Sequence, residues 1–267
     1  MQDPRFPPEL EYKVFLTAFH RNFNDLQSLL LVAKRVHDWL LPKAFEVVIL
    51  SRSRMFPVYF DLEKFRKYGR LVRALCIGFR AGEDETLAME YLSLCPNLTN
   101  LVLILQGCPT RLSDTLAVLP LTRLYIDGRA LVSNPPSPHL PQVFSNITHL
   151  RVLHSILPLE TSNGDSVSLP TLFPRLTHVA FSRHQYRDQL RDALQGCVNL
   201  KVIILWCEDG DMCIGGGISI DKGSDILPPP VLLCCEGHGE WEDNARGIDS
   251  DMWEVAEKVL CSYLTPD

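Results

Sequence analysis

Cys207, Cys213, Cys234, Cys235 and His238 are the densest group of side chains able to hold a metal ion. Structural zinc sites use cysteine pairs only a few residues apart with a small gap between ligands. Here five residues separate Cys207 from Cys213, and Cys234 and Cys235 are adjacent. No metal site is expected, and these residues read as buried or loop thiols. Asp209 and Asp211 make a local acidic turn, but calcium needs more oxygens in a fixed spacing. The run Gly215-Gly216-Gly217 is not followed by the Lys-Ser/Thr of a phosphate loop, so nucleotide binding is not expected. His149, His154, His178 and His184 recur along the chain, and His149 and His178 hold equivalent places in a repeating pattern. A histidine stripe can bind a ligand or sense pH. On strands these two would point away from the core, which reads as a solvated face. No serine elbow, acid pair or cysteine–histidine pair stands out. Neither enzymatic activity nor a cofactor is expected.

The elements that carry these residues follow from a short rung: apolar, two residues, apolar, one residue, apolar. It occurs as Phe45-Val48-Leu50, Val72-Leu75-Ile77, Leu98-Leu101-Leu103, Leu121-Leu124-Ile126, Ile147-Leu150-Val152, Leu176-Val179-Phe181 and Leu200-Ile203-Leu205. Successive rungs begin 27, 26, 23, 26, 29 and 24 residues apart. The last two apolar residues of each rung are two apart and therefore share one face of a strand. One strand cannot bury that face alone, whereas stacked strands with helices returning behind them can. Helices are expected over 61–69, with Asp61 as cap and Gly69 as stop, over 83–95, 112–119 and 185–197. The segment 134–141 holds four prolines and must be a loop.

These units resemble the irregular leucine-rich repeats of F-box proteins across about residues 45–207. The resemblance implies a parallel-strand solenoid whose exposed strand face binds another protein. The Asn or Cys that closes the usual repeat turn is missing, since Gln106, Arg129, Ser155 and Glu208 stand there. The solenoid is therefore expected to be irregular and to lack the usual side-chain ladder at that turn. A generic α/β domain with leucine-rich strands is the alternative fold.

Ahead of the repeats, Pro7 and Pro8 suit a helix start and Glu9 suits the positive end of its dipole. Leu10, Val14 and Ala18 form one stripe. A second helix is expected from a cap at Asp25 through Leu26, Leu29, Leu30, Ala33, Val36 and Leu40, ending at Pro42. Phe6-Pro7-Pro8-Glu9-Leu10, Asp25-Leu26 and Leu29-Leu30-Leu31-Val32-Ala33-Lys34-Arg35 resemble an F-box. Trp39 comes later than that motif's tryptophan, and its closing Asp-Pro-x-Leu-Trp is absent. The resemblance implies binding to the small adaptor Skp1 through Pro7, Glu9, Leu10, Val14, Leu29, Val32, Lys34 and Arg35. The protein would then be the substrate receptor of a Skp1–cullin ubiquitin ligase. The alternative is a stand-alone scaffold whose helical head only caps the first rung.

Beyond residue 207 the rhythm breaks at Gly215–Gly217 and Pro228–Pro230, with a last strand expected over 231–235. A closing helix over 250–264, capped by Asp249 or Ser250, carries Trp253, Ala256, Val259, Leu260 and Leu264. Trp241, Arg246, Met252-Trp253 and Ala256-Glu257 resemble the tail of a large family of F-box-like proteins of mushroom-type fungi. The expected organisation is α/β: a helical head (1–42), a leucine-rich-repeat-like solenoid (43–236) and a C-terminal capping segment (237–267).

Among the 267 residues, 46% are hydrophobic and 22% charged, with a formal net charge of −6. That is a globular composition without the basic excess of a nucleic-acid binder. No apolar run is long enough to span a bilayer, and the opening MQDPRFPPELEYK shows no signal peptide. The nine cysteines read as reduced, mostly buried thiols, which points to the cytoplasm or nucleus. The glycosylation patterns at Asn97 and Asn146 then read as incidental. The expected substrate, an unidentified protein, would meet the strand residues between apolar positions. These are Thr99, Asn100, Val102, Thr122, Arg123, Tyr125, Thr148, His149, Arg151, Thr177, His178, Lys201 and Ile204.

Overall fold

The computed structural model describes residues 6–21, 26–51, 62–79, 85–105, 112–127, 144–153, 168–182, 192–207, 219–220, 231–234, 245 and 251–264. Helix α1 (Pro8–Arg21) opens on a proline with Glu9 and Glu11 in its first turn. Helix α2 (Leu26–Leu30) and helix α3 (Lys34–Glu46) follow. The core of this head is Phe19, Val36, Leu40 and Ala44, with Leu26, Leu29 and Trp39 packed around it. Arg35 of α3 reaches Glu11 of α1 at 2.6 Å, and Trp39 meets Tyr12 edge-on at 5.7 Å.

Two expectations about the head are corrected. The single helix from 25 to 41 is in fact two, broken at residues 31–33. The Leu31 and Val32 N–H groups turn back to the carbonyls of Ser28 and Leu29, which tightens and ends α2. Pro42 does not end α3 but lies inside it. An interior proline lacks the N–H for the carbonyl four residues back and costs about 3 kcal/mol. Its fixed φ is itself helical. The last turn is held by the burial of Ala44 and by Phe45 stacked on Tyr68 at 4.4 Å. The expected boundary at 42/43 therefore falls within a helix that runs straight into the first strand.

The strands are β1 (Val47–Ser51), β2 (Ala74–Phe79), β3 (Asn100–Leu105), β4 (Arg123–Asp127), β5 (His149–Leu153), β6 (His178–Ser182), β7 (Val202–Cys207), β8 (Ser219–Ile220) and β9 (Val231–Cys234). They form one sheet in the order β1-β2-β3-β4-β5-β6-β7-β9-β8. The pairs from β1 through β7 and on to β9 are parallel, and β8 alone runs antiparallel, against β9. Parallel neighbours need a crossover between them. Between these strands stand α4 (Leu62–Tyr68) with a 3₁₀ turn (Gly69–Leu71), α5 (Glu85–Ser93), α6 (Leu112–Ala117), α7 (Leu169–Leu172) and a helical turn at 192–194. The fold is thus repeat-like α/β, with each strand from β1 to β7 beside the one before it.

The register turns the rungs into ladders. Val48, Leu75, Leu101, Leu124, Leu150, Val179 and Ile203 align across the sheet, and Leu50, Ile77, Leu103, Ile126, Val152, Phe181 and Leu205 form a second row. Both rows belong to one core with Phe65, Leu92, Leu116, Leu172 and Leu194 from the crossovers. The first rung position closes the turn: the N–H groups of Val72, Leu98, Ile147, Leu176 and Leu200 each donate to the carbonyl three residues back. Gly69 is required here, because an added Cβ would collide with the Leu94 carbonyl. Gly196, with φ +92°, supplies the left-handed residue that ends the last helical turn.

Helices α4, α5 and α6 lie within the spans expected from periodicity, each slightly shorter, whereas α7 and β8 were not expected. The proline segment 134–141, the triple glycine, Pro228–Pro230, Trp241, Arg246 and the turn positions 106, 129, 155 and 208 lie outside the described residues. Among the described residues no helix is long and apolar enough to cross a membrane.

Two substitutions check this arrangement by chemical denaturation. Leu101→Ala, at a fully buried ladder position, is expected to remove about 2–5 kcal/mol. Gly69→Ala, forced against backbone rather than a flexible side chain, is expected to cost about 1–3 kcal/mol. A Leu101→Ala loss below about 0.5 kcal/mol, the range of a surface substitution, would show that the ladder is not the core.

Candidate functional site

A threonine ladder fixes how each repeat meets the next. The carbonyls of Arg73, Thr99, Thr122 and Thr148 each accept two backbone N–H donors from the following strand. Each then accepts a third bond from a hydroxyl, given by Thr99, Thr122, Thr148 and Thr177 in turn at 3.0–3.3 Å. A side-chain ladder thus stands at the strand start, a place where none was expected. Its signal, an apolar residue followed by threonine in four successive rungs, is present in the sequence. Exposed Asn97 and Asn199 bind preceding turns through the carbonyls of Arg70 and Pro174. Asn146 accepts a bond from Arg175.

The sheet face opposite the rungs carries two further rows. One is Val47, Ala74, Asn100, Arg123, His149, His178 and Val202; the other is Ile49, Cys76, Val102, Tyr125, Arg151, Ala180, Ile204 and Val231. The ends of these rows are apolar and their middle is polar. Across that middle lies the C-terminal helix α8 (Met252–Leu264). It buries Met252, Trp253, Ala256 and Leu260 in a core shared with Val102, Tyr125, Ala180, Val202 and Ile204.

Polar contacts set the helix in place. Asp251 caps it by accepting the Trp253 N–H at 3.2 Å, so the cap is Asp251 and not Asp249 or Ser250. The other Asp251 carboxylate oxygen accepts the Arg123 guanidinium. His149 and His178 stack in parallel at 4.1 Å, and Trp253 stands edge-on to both rings at 5.4 and 5.6 Å. Nδ1 of each histidine lies 2.7–2.8 Å from the hydroxyl of the threonine before it. Nε2 of His178 faces Glu257 at 3.0 Å. Arg151 lies over the Tyr125 ring and approaches the Met252 sulfur.

This geometry corrects the expectation of an open strand face. Val102, Tyr125, His178 and Ile204 are buried, not solvated, and Asn100, Arg123, His149 and Arg151 are half-buried. Of the expected substrate-contacting residues, Thr122 and Lys201, both in the position just before a strand, are the exposed ones. The cause is a helix more than a hundred residues from β4 in sequence, which alternation within a strand cannot reveal. The closing helix was expected at the right place in sequence, but it covers a sheet face.

The head presents a different surface. Leu10 and Val14, four apart on α1, and Leu31 and Val32 in the turn before α3 are exposed, as are Phe6, Pro7 and Glu9. Lys34 and Arg35 are exposed beside them in sequence. Leu29 instead packs on the head core, and Arg35 is engaged by Glu11.

Burial pushes the thiols of Cys95 and Cys197 up to about 12 and about 11. Cys76 and Cys95 are buried as expected, while Cys261 is exposed. A cavity of about 340 Å³ between α3 and the first crossover is lined by Lys43, Glu46, Arg70, Arg73 and Asn97. Glu46 there is already paired with Lys43 at 2.7 Å. Cys213, Cys235, His154, His184, His238, Asp209 and Asp211 lie outside the described residues. Among those described, no group of three potential metal ligands occurs. Comparison with known proteins gives no matching family model and no matching characterised relative.

The histidine pair makes stability depend on pH. Burial, then the neighbouring His178 and Arg123, lowers His149 from 6.5 to about 3. Burial also lowers His178, against the pull of Glu257. The folded state therefore binds fewer protons than the unfolded state between these values. The stabilisation is complete above about pH 6.5 and is lost as pH falls toward about 3. Thermal melts should show the midpoint dropping from pH 7 to pH 5, with a shallower drop in His149→Gln. An equal slope in that variant would count against the assignment. Trp253→Ala, which empties a fully buried site, should cost about 3–5 kcal/mol by the same melts.

Proposed function

We propose that this protein is a protein-interaction module, the substrate receptor of a Skp1–cullin ubiquitin ligase acting in the cytoplasm or nucleus. Its head docks the adaptor, and its repeats, an irregular leucine-rich solenoid, carry an unidentified protein substrate. No cofactor or catalytic residue enters this reading. The observation that carries it is the exposed apolar surface of the head. Phe6, Leu10, Val14, Leu31 and Val32 are 50–85% exposed, while Phe15, Leu16, Phe19, Leu26, Leu29, Trp39 and Leu40 pack into the head core. Exposed apolar residues grouped on one small element mark a docking surface. Most of them also belong to the F-box-like motif. Pro7, Glu9, Lys34 and Arg35 would form the polar rim, whereas Leu29 would act by holding α2 against the head core. The sequential parallel strands and the carbonyl ladder support the solenoid.

One observation favours a second reading, a scaffold whose head is only a cap. Helix α3 runs without a break into the edge strand β1, and the Arg73 N–H takes the carbonyl at its end. A helical element continuous with the first strand of a solenoid is where a terminal cap belongs.

Co-purification with Skp1 separates the two. The wild-type protein should form a stoichiometric complex, and Leu10→Asp or Val32→Asp should weaken it by about tenfold or more, or about 1.4 kcal/mol. Both side chains are exposed, so the melting temperature should hardly change. A well-folded wild-type protein that forms no complex would sink the adaptor reading and leave the cap.

A further inference from the structure

The strand face under α8 has two properties that a simple hydrophobic cover does not need. First, the contact is made through directional polar groups. Arg123 forms a part-buried ion pair with Asp251, and Nε2 of His178 lies at hydrogen-bond distance, 3.0 Å, from Glu257. Polar pairs removed from water contribute little net stability, but they dictate which helix fits and in which direction. Second, the two sides are complementary in charge. Arg123, Arg151 and Lys201 lie on the sheet side with one buried carboxylate, Asp127, and Asp251, Glu254 and Glu257 stand on the helix and its cap against a single Lys258.

At 13 residues α8 is near the length below which an isolated helix is marginal in water, so it depends on this face for its order.

We propose that this face is a recognition site for an acidic amphipathic helix carrying a tryptophan, and that α8 is its resident occupant. A partner presenting the spacing of Asp251, Trp253, Ala256, Glu257 and Leu260 exchanges with α8. Its tryptophan takes the place of Trp253 against the stacked His149 and His178, and its carboxylates take Arg123 and His178. This names the partner class for the repeat face of the proposed interaction module and rests on that reading. It does not involve the head, so adaptor binding and helix exchange succeed or fail separately.

The test uses the full-length chain and a fluorescent peptide copying residues 249–264, with serine in place of Cys261. Wild type is compared with the double variant Asp251→Asn, Glu257→Gln, which weakens the two latches and leaves the sheet side intact. Hydrogen exchange over 252–264 reports whether α8 has loosened. The variant should exchange faster there and bind the peptide about tenfold more tightly than wild type, because less of the face is occupied. A peptide with Trp253→Ala, or a receptor with Arg123→Glu added, should lose that binding. The proposal is overturned if α8 loosens and no peptide binds, if binding ignores Arg123→Glu, or if the double variant leaves exchange unchanged. A concentration-dependent dimer in place of peptide binding would assign the face to a second copy of the chain, and would overturn it too.

Discussion

One carbonyl per repeat controls the way these strands stack. The oxygens of Arg73, Thr99, Thr122 and Thr148 each receive two amides and a hydroxyl from the next strand. A register shift by one residue would break all three bonds and turn every rung to the wrong face. The ladder therefore couples backbone pairing to core burial, and the two rows of aliphatic residues close because the threonines hold their strands in step. The same oxygens lie directly beside the histidines. The hydroxyls of Thr148 and Thr177 contact both the preceding carbonyl and the following imidazole. The element that sets the repeat also orients the rings that receive Trp253.

The two faces of the sheet do different work. The face with Leu101 and Leu103 is uniformly apolar and is satisfied by the crossovers between strands. The opposite face mixes apolar ends with a centre of Arg123, Tyr125, His149, Arg151 and His178. Burying such a centre is unfavourable unless its groups are paired. Helix α8 and its cap supply carboxylate partners for Arg123 and His178 as well as the apolar cover. Burial holds both imidazoles below their ordinary value, so the cover and the neutral rings depend on each other.

The head shows a third arrangement. Its own core is small, and much of its apolar surface faces outward. Those exposed apolar side chains are the ground on which docking was proposed over a simple cap. The continuity of α3 with β1 fixes that surface relative to the first repeat. A partner bound at the head would then stand in a defined place beside the sheet.

The sequence by itself determined the repeat. Spacing of apolar pairs located the seven rungs, and every one became a strand whose second and third positions line a single core. It also placed the helices behind Leu75, Leu101 and Leu124, the last parallel strand and the closing helix, because each is encoded within a dozen or so neighbouring residues. Tertiary structure decided the rest. The cover over His149 and His178 joins residues 128 and 79 apart in sequence, Arg123 to Asp251 and His178 to Glu257. No local period records such a contact. Pro42 stayed helical because packing of Ala44 and Phe45 outweighed a lost hydrogen bond. The strand face that alternation assigns to solvent became a second core, since alternation tells which side of a strand a residue takes but not what comes to lie on it.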